Sequence, residues 1–191
     1  NQWQKGVQAY LASISFVDNY VGVILDALEN SNYEKNTIVM LWGDHGWHLG
    51  EKQHWRKQAL WEDTTRVPFI ISYPSKIPNN QICDKPVSLI DIFPTLIDLT
   101  GIPKIEGLDG QSLMPLLKNP KIDWNRPVLS TYGKGNHAVR SGKWRYIQYR
   151  DGTSELYDHQ KDPHEWYNLS NKDGFEEIVK FLKKTIPTSE K

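Results

Sequence analysis

The segment TIVMLW, residues 37–42, most limits what this chain can fold into. It is too short for a helix and too apolar for a surface loop, so it reads as a buried parallel strand. The run stops abruptly on Gly43-Asp44-His45-Gly46. In open α/β sheets, ligands bind just beyond the carboxyl ends of strands, so the tetrapeptide falls where a site is expected. A buried strand also needs a covering layer. Upstream, Val7, Tyr10, Leu11, Ile14, Val17, Val21, Ile24, Leu25 and Leu28 recur at three- and four-residue steps. That spacing predicts an amphipathic helix over residues 5–29, packed on a sheet. Asn30-Ser31-Asn32 closes it with turn-forming residues.

Residues 66–73, RVPFIISY, read as a second strand, with Pro68 at its start or on an edge. Residues 87–99 have helical periodicity, with Gly101 and Pro103 as stop signals. Pro94 implies either a kink or a helix that begins there. Residues 112–117 form a short helical turn before a loop over 118–127. Beyond residue 127 the texture changes. Residues 128–132, 144–149 and 155–157 read as short strands, with Asp151-Gly152 as a hairpin turn between the last two. Residues 175–184 read as a terminal helix. The expected class is α/β: residues 1–125 belong to an α/β domain, and residues 126–191 form a small antiparallel subdomain with a helix.

Lys and Arg number 23 and so do Asp and Glu, giving no net charge. The basic excess of a general nucleic-acid binder is therefore missing, and no nucleic-acid partner is expected. No run reads as bilayer-spanning, so no membrane partner is expected either. The 38% hydrophobic and 24% charged content suits a globular domain rather than a disordered chain. The start, NQWQKGVQAY, lacks a signal-peptide layout, which leaves open a leader on some other segment. One cysteine, Cys83, excludes an internal disulfide framework. Its surroundings, QICDKPV, carry no nucleophile signature, so it reads as a partly buried spectator. Eight Trp and nine Tyr suit a sugar-handling cleft or an aromatic core equally.

Adjacent carboxylate and imidazole groups, Asp44 and His45, are metal-ligand chemistry or simply a hydrogen-bonded pair. At a strand end the chain leaves extended geometry, so both side chains can turn toward one point, and Gly43 and Gly46 relax the backbone around them. Lys57 follows in a polar loop. A metal and a lysine together suit an anionic substrate, because both offset negative charge; a solvated surface lysine is the plain alternative. His45, His48 and His54 fit no standard zinc spacing. His48 and His54, with Trp47 and Trp55, are candidates for shaping a sugar subsite, or the tryptophans for packing. His137 and Arg140 are candidates for a carboxylate or second sulfate, against a strand-end salt bridge. Arg56 is similarly ambiguous. Asn168-Leu169-Ser170 fits a glycosylation sequon.

The string GDHGWHLGEKQHWRKQALWEDTTRVPFIISYP closely resembles the C-terminal half of the type I sulfatases, in the alkaline-phosphatase-like superfamily. The Asp-His-Gly-Trp wording looks most like the iduronate-2-sulfatase branch. YLASISFVDNYVGVILDAL, VSLIDIFPTLIDLTGIP, LDGQSLMPLL and HAVRSGKWRYIQYRDGTSELYDHQKDPHEWYNLS extend the resemblance in order along the chain. It implies a partial alkaline-phosphatase-like mixed sheet flanked by helices. It also implies Asp44 and His45 as ligands of a catalytic divalent ion, usually calcium, and Lys57 as a sulfate contact. Family members often have Asn where this chain has His45, and calcium prefers oxygen ligands.

The Cys-x-Pro-Ser-Arg segment, whose cysteine becomes the formylglycine nucleophile, is not in this sequence, nor is the aspartate pair expected near a family N-terminus. The resemblance therefore places the nucleophile and further metal ligands on an upstream part of the same enzyme, in the same or a separate polypeptide. The implied activity is hydrolysis of sulfate esters of a glycan, in an exported enzyme. This chain alone is expected to be inactive and stable only beside its other half. The rivals are a phosphoryl-transfer enzyme of the same superfamily and a non-catalytic carbohydrate-binding chain.

Overall fold

The computed structural model of the protein describes residues 1–188. In chain order the elements are helix α1 (Gln2–Glu29), strands β1 (Val39–Trp42), β2 (His48–Leu49) and β3 (Trp55–Arg56), helix α2 (Glu62–Thr65), strand β4 (Phe69–Ser72), helices α3 (Ile92–Thr100) and α4 (Met114–Lys118), strands β5 (Val128–Thr131), β6 (His137–Ser141), β7 (Trp144–Gln148) and β8 (Ser154–Asp158), and helix α5 (Glu176–Lys183). The strands form a β1-β4 pair, a β2-β3 pair and a β5-β6-β7-β8 sheet.

The strand over residues 37–42 forms, but its parallel pairing does not. β1 runs antiparallel to β4, from Val39 opposite Ser72 to Trp42 opposite Phe69. The connection through the histidine-rich loop returns the chain in the opposite direction, as an antiparallel pair requires. Among the described residues no strand pairs with the other edge of β1. Pro68 sits just before β4, where its missing N–H costs no ladder bond. α3 contains Pro94 in its first turn, a position where the absent N–H is tolerated. Gly101, with φ of 75°, then closes the helix by donating to Ile97 O at 3.0 Å.

The C-terminal sheet has a core of its own. Val139, Tyr146, Leu156, Leu182 and Ile186 are buried together between the sheet and α5. The sequence reading missed β6. Its residues, HAVRS, alternate poorly by type, yet all five pair with β7, from His137 opposite Gln148 to Ser141 opposite Trp144. The signal was the two-residue Gly142-Lys143 link, with Gly142 at φ of 52°.

α1 is the main departure. Asn1 caps it, accepting from Trp3 N at 2.8 Å, and it ends at Asn30 as expected. No residue of it is buried. Leu11, Ile14, Val17, Ile24 and Leu25 of the expected packing stripe are exposed, and so are Phe16, Tyr20 and Val23 on its other sides. The expected packing on a sheet is therefore not met by the described residues. The helix is also long and apolar enough, by length and composition, to cross a bilayer, contrary to the sequence reading. Only Lys5, Asp18, Asp26 and Glu29 carry charge along its length. Cys83, read as partly buried, is exposed: it lies in an irregular segment, with its Sγ 3.9 Å from Pro120 O.

Candidate functional site

The backbone past β1 is fixed at both ends of the tetrapeptide. Gly43 N donates to Pro68 O at 3.2 Å, extending the ladder with β4. Gly46 N and Trp47 N donate to Thr64 O and Asp63 O in α2, at 2.7 and 2.8 Å. A Cβ at position 46 would lie 1.9 Å from Asp63 O, so only glycine allows this approach. α1 braces the loop from the other side. Trp3 Nε1 donates to Leu49 O at 2.6 Å. Tyr10 stacks on Trp47 at 6.1 Å, and Trp47 on His45 at 6.3 Å. Trp47 is thus a packing residue.

His45 Nδ1 lies 2.9 Å from Gly46 O. A carbonyl only accepts, so Nδ1 carries the proton and Nε2 presents its lone pair. That Nε2 faces Asp44 Oδ2 at 3.3 Å and Lys57 Nζ at 2.8 Å. The three residues singled out for ion and anion chemistry therefore converge at one point. Asp44 is open, with 84% of its side chain exposed. A carboxylate oxygen and an imidazole nitrogen turned to the same open space fit two ligands of one divalent ion.

His48 and His54 are brought together, edge to face with their centroids 5.2 Å apart, and both pack against Trp61 at 5.7 and 5.8 Å. His48 is fully buried. Burial lowers its pKa and so favours the neutral ring, although Asp63 pulls the other way. Both ring nitrogens of His48, and His54 Nε2, are buried without hydrogen-bond partners. His48, Glu51 and Asp63 also present ligand-type atoms within 4.8 Å of one another.

His137 and Arg140 are on β6. His137 is buried, with Nδ1 2.9 Å from Thr131 Oγ1. Arg140 Nε pairs with Glu62 at 3.4 Å, so the salt-bridge alternative describes its observed partner.

Sequence reasoning missed an ion cluster around Arg145 and Glu165, whose side chains are 3% and 2% exposed. Arg145 Nε lies 2.8 Å from Glu165 Oε1, a second guanidinium nitrogen contacts Glu62, and a third donates to Leu60 O at 3.0 Å. His159 Nε2 lies 2.8 Å from Glu165 Oε1. Glu165 also accepts from Glu62 N at 3.0 Å. Glu62, Glu165 and His159 satisfy the spacing of a metal site, but the Arg145 guanidinium already supplies the positive charge between the carboxylates. Burial pushes Glu62 up, and Arg145 and Arg140 more than reverse it, leaving its pKa below the usual value. The available signal was Arg145 itself. It shares a face of β7 with fully buried Ile147, and an arginine on such a face needs a partner.

The chain is similar to known proteins along nearly all of its length. A sulfatase of Formosa agariphila is 44% identical over 186 residues, covering 97% of this chain and 36% of that protein. The solved structure of a protein in complex with its substrate D-glucosamine-2-N,6-O-disulfate superposes with a TM-score of 0.80 at 28% identity, covering 92% of this chain and 38% of that one. A 2-O glycosaminoglycan sulfatase structure gives a TM-score of 0.77, also at 28% identity, covering 88% and 39%. The chain thus spans about a third of the length of the relatives it matches, and it has the α/β fold of their alkaline-phosphatase-like architecture. The sulfatase family profile matches residues 1–102, from α1 through the Asp44–His45 loop to the end of α3, and the chain belongs to the sulfatase family.

Proposed function

We propose that this chain supplies two ligands of a catalytic divalent ion, and a sulfate-binding lysine, to a sulfatase that hydrolyses sulfate esters of a glycan. The observation that carries the reading is the convergence of Asp44 Oδ2 and Lys57 Nζ on His45 Nε2. Gly46 O fixes the imidazole tautomer, so Nε2 carries the lone pair that Lys57 Nζ meets. When bound, the ion, taken as calcium from the family resemblance, supplies positive charge against the sulfate oxygens. Asp44 and His45 would hold that ion, and the Lys57 ammonium beside them would offset charge on the ester oxygens as the S–O bond breaks. His48 and His54, packed together against Trp61, are assigned to shaping the sugar side. His137 holds a partner within the C-terminal sheet, Arg140 pairs with Glu62 of α2, and both are assigned to bracing.

Two ligands hold an ion loosely, so the remaining ligands and the formylglycine nucleophile are assigned to the part of the enzyme upstream of this chain. The relatives' greater length supports that assignment. The exposed apolar surface of α1 supports it too, since a helix apolar on all sides belongs in the core of a larger fold. Residues 1–125 are then the end of the catalytic α/β domain, and 126–191 its small subdomain. A sulfated glucosamine or related glycosaminoglycan unit is the substrate class that the structural relatives favour. The Asp-His-Gly-Trp wording favours the iduronate-2-sulfatase branch.

The test uses the full-length polypeptide that contains this chain, with sulfated glucosamines and an aryl sulfate as substrates. Sulfate release should fall by ~100- to 1,000-fold in Lys57→Ala and be lost in Asp44→Ala and on chelation. Preferential cleavage of phosphate diesters, or sulfate release unaffected by Asp44→Ala, overturns the reading.

A further inference from the structure

The loop that carries Lys57 has an unusual backbone. Lys52, Gln53 and Arg56 have φ of 52°, 57° and 75°, the left-handed region that side chains other than glycine and asparagine rarely enter. Three such residues within five positions persist only if something outside the loop holds them. The anchor lies in the C-terminal half. Lys52 Nζ donates to the backbone oxygen of Glu165 and lies 3.3 Å from Tyr157 Oη. It also sits over the rings of Trp61 and Tyr157, 4.9 Å from each centroid. Its receptor is strained in turn, because Glu165 has φ of 58°. The Glu165 carboxylate is fixed by Arg145 and His159, and it accepts from Glu62 N at the far end of the same loop.

We infer that Lys52 and Glu165 are positioning residues, which clamp both ends of the 50–62 loop to the C-terminal half so that Lys57 meets the sulfate. Neither touches the reacting atoms. Lys52 plugs an aromatic cleft between Trp61 and Tyr157, and Glu165 presents its backbone oxygen to one end of the loop and its carboxylate to the other. The clamp reaches the site through Lys57, which contacts His45 within the same loop. Trp61 is held by a further bond from its Nε1 to Glu155 Oε2 at 2.7 Å, so the cleft itself is set by β8. The catalytic half of this inference rests on the sulfatase reading.

The test compares wild type, Lys52→Met and Lys52→Arg in the full-length polypeptide. Two readouts are needed: sulfate ester kinetics per folded molecule, and hydrogen exchange at the amides of residues 51–58. Lys52→Met keeps the apolar stem and removes the charge. It should speed exchange in the loop and lower kcat/KM by ~10- to 100-fold through both kcat and KM, the scale expected for a displaced catalytic group. Lys52→Arg should recover most of both. Exchange unchanged in Lys52→Met shows that Lys52 does not hold the loop and overturns the inference. Faster exchange with unchanged kcat/KM overturns the positioning role. A folded wild type that releases no sulfate from any ester sinks the sulfatase reading and the catalytic half of this inference, while the exchange data still decide whether Lys52 is the anchor.

Discussion

The two ends of this chain solve the burial problem in opposite ways. The C-terminal sheet and α5 enclose their own apolar side chains, with Val139, Leu156 and Leu182 fully buried. They even enclose charges, because Arg145 meets Glu62 and Glu165. α1 carries comparable apolar content along 28 residues and buries none of them. The two ends thus differ in how much of their apolar surface the described residues cover.

Three changes would break or sharpen that contrast, all made in the full-length polypeptide. The largest effect is expected from Arg145→Met, which leaves two carboxylates facing each other without their cation. A loss of ~3–5 kcal/mol follows, the usual cost of breaking a buried pair by removing one partner, and chemical denaturation measures it. A loss under about 1 kcal/mol would show that the cluster is wet and does not weld the halves. Next comes Ile24→Ser in α1, where Ile24 is 67% exposed. On a surface this change stays within about 0.5 kcal/mol. If the upstream part covers the helix, it costs ~1.5–3 kcal/mol, the scale of one buried aliphatic side chain. The smallest effect is the pH dependence from Glu62. Its folded pKa is depressed, so its stabilisation is present above the ordinary carboxylate pKa and is lost as pH falls through the depressed value. Urea midpoints should fall on acidification below about pH 4.5, less steeply in Glu62→Gln. Equal slopes would remove Glu62 from the account.

Much of this was legible from local pattern. The helix before β1, the apolar strand, Pro68 at the start of β4 and the Asp151-Gly152 turn all depend on neighbours within a few residues. The strand end also brought Asp44 and His45 to one point, whereas Lys57, twelve residues on from His45, meets Nε2 only through the folded loop. The clamp was not legible in this way. Arg145 lies 83 residues from Glu62, and Lys52 lies 113 from Glu165. No periodicity encodes contacts that only the tertiary fold creates. The antiparallel pairing of β1 was missed for a related reason: an apolar run reports burial but not the direction of its partner. β6 was missed because His137 and Arg140 drew attention as chemistry, and the poor alternation of HAVRS hid the strand that its pairing with β7 reveals.

The sequon at Asn168 bears on how such a chain is produced. Asn168 Nδ2 donates to Ser154 O at 3.0 Å, while its Oδ1 accepts from Leu156 N and Ser170 N at 3.0 and 2.9 Å. A glycan attached there replaces one of that nitrogen's two hydrogens and crowds the edge of β8. In a host that decorates secreted proteins with N-linked sugars, molecules modified at this asparagine fold against their own carbohydrate. The correctly folded product should therefore carry an unmodified Asn168, and replacing Ser170 with alanine to silence the sequon would also delete the hydroxyl bond to Ser154 O at 2.8 Å.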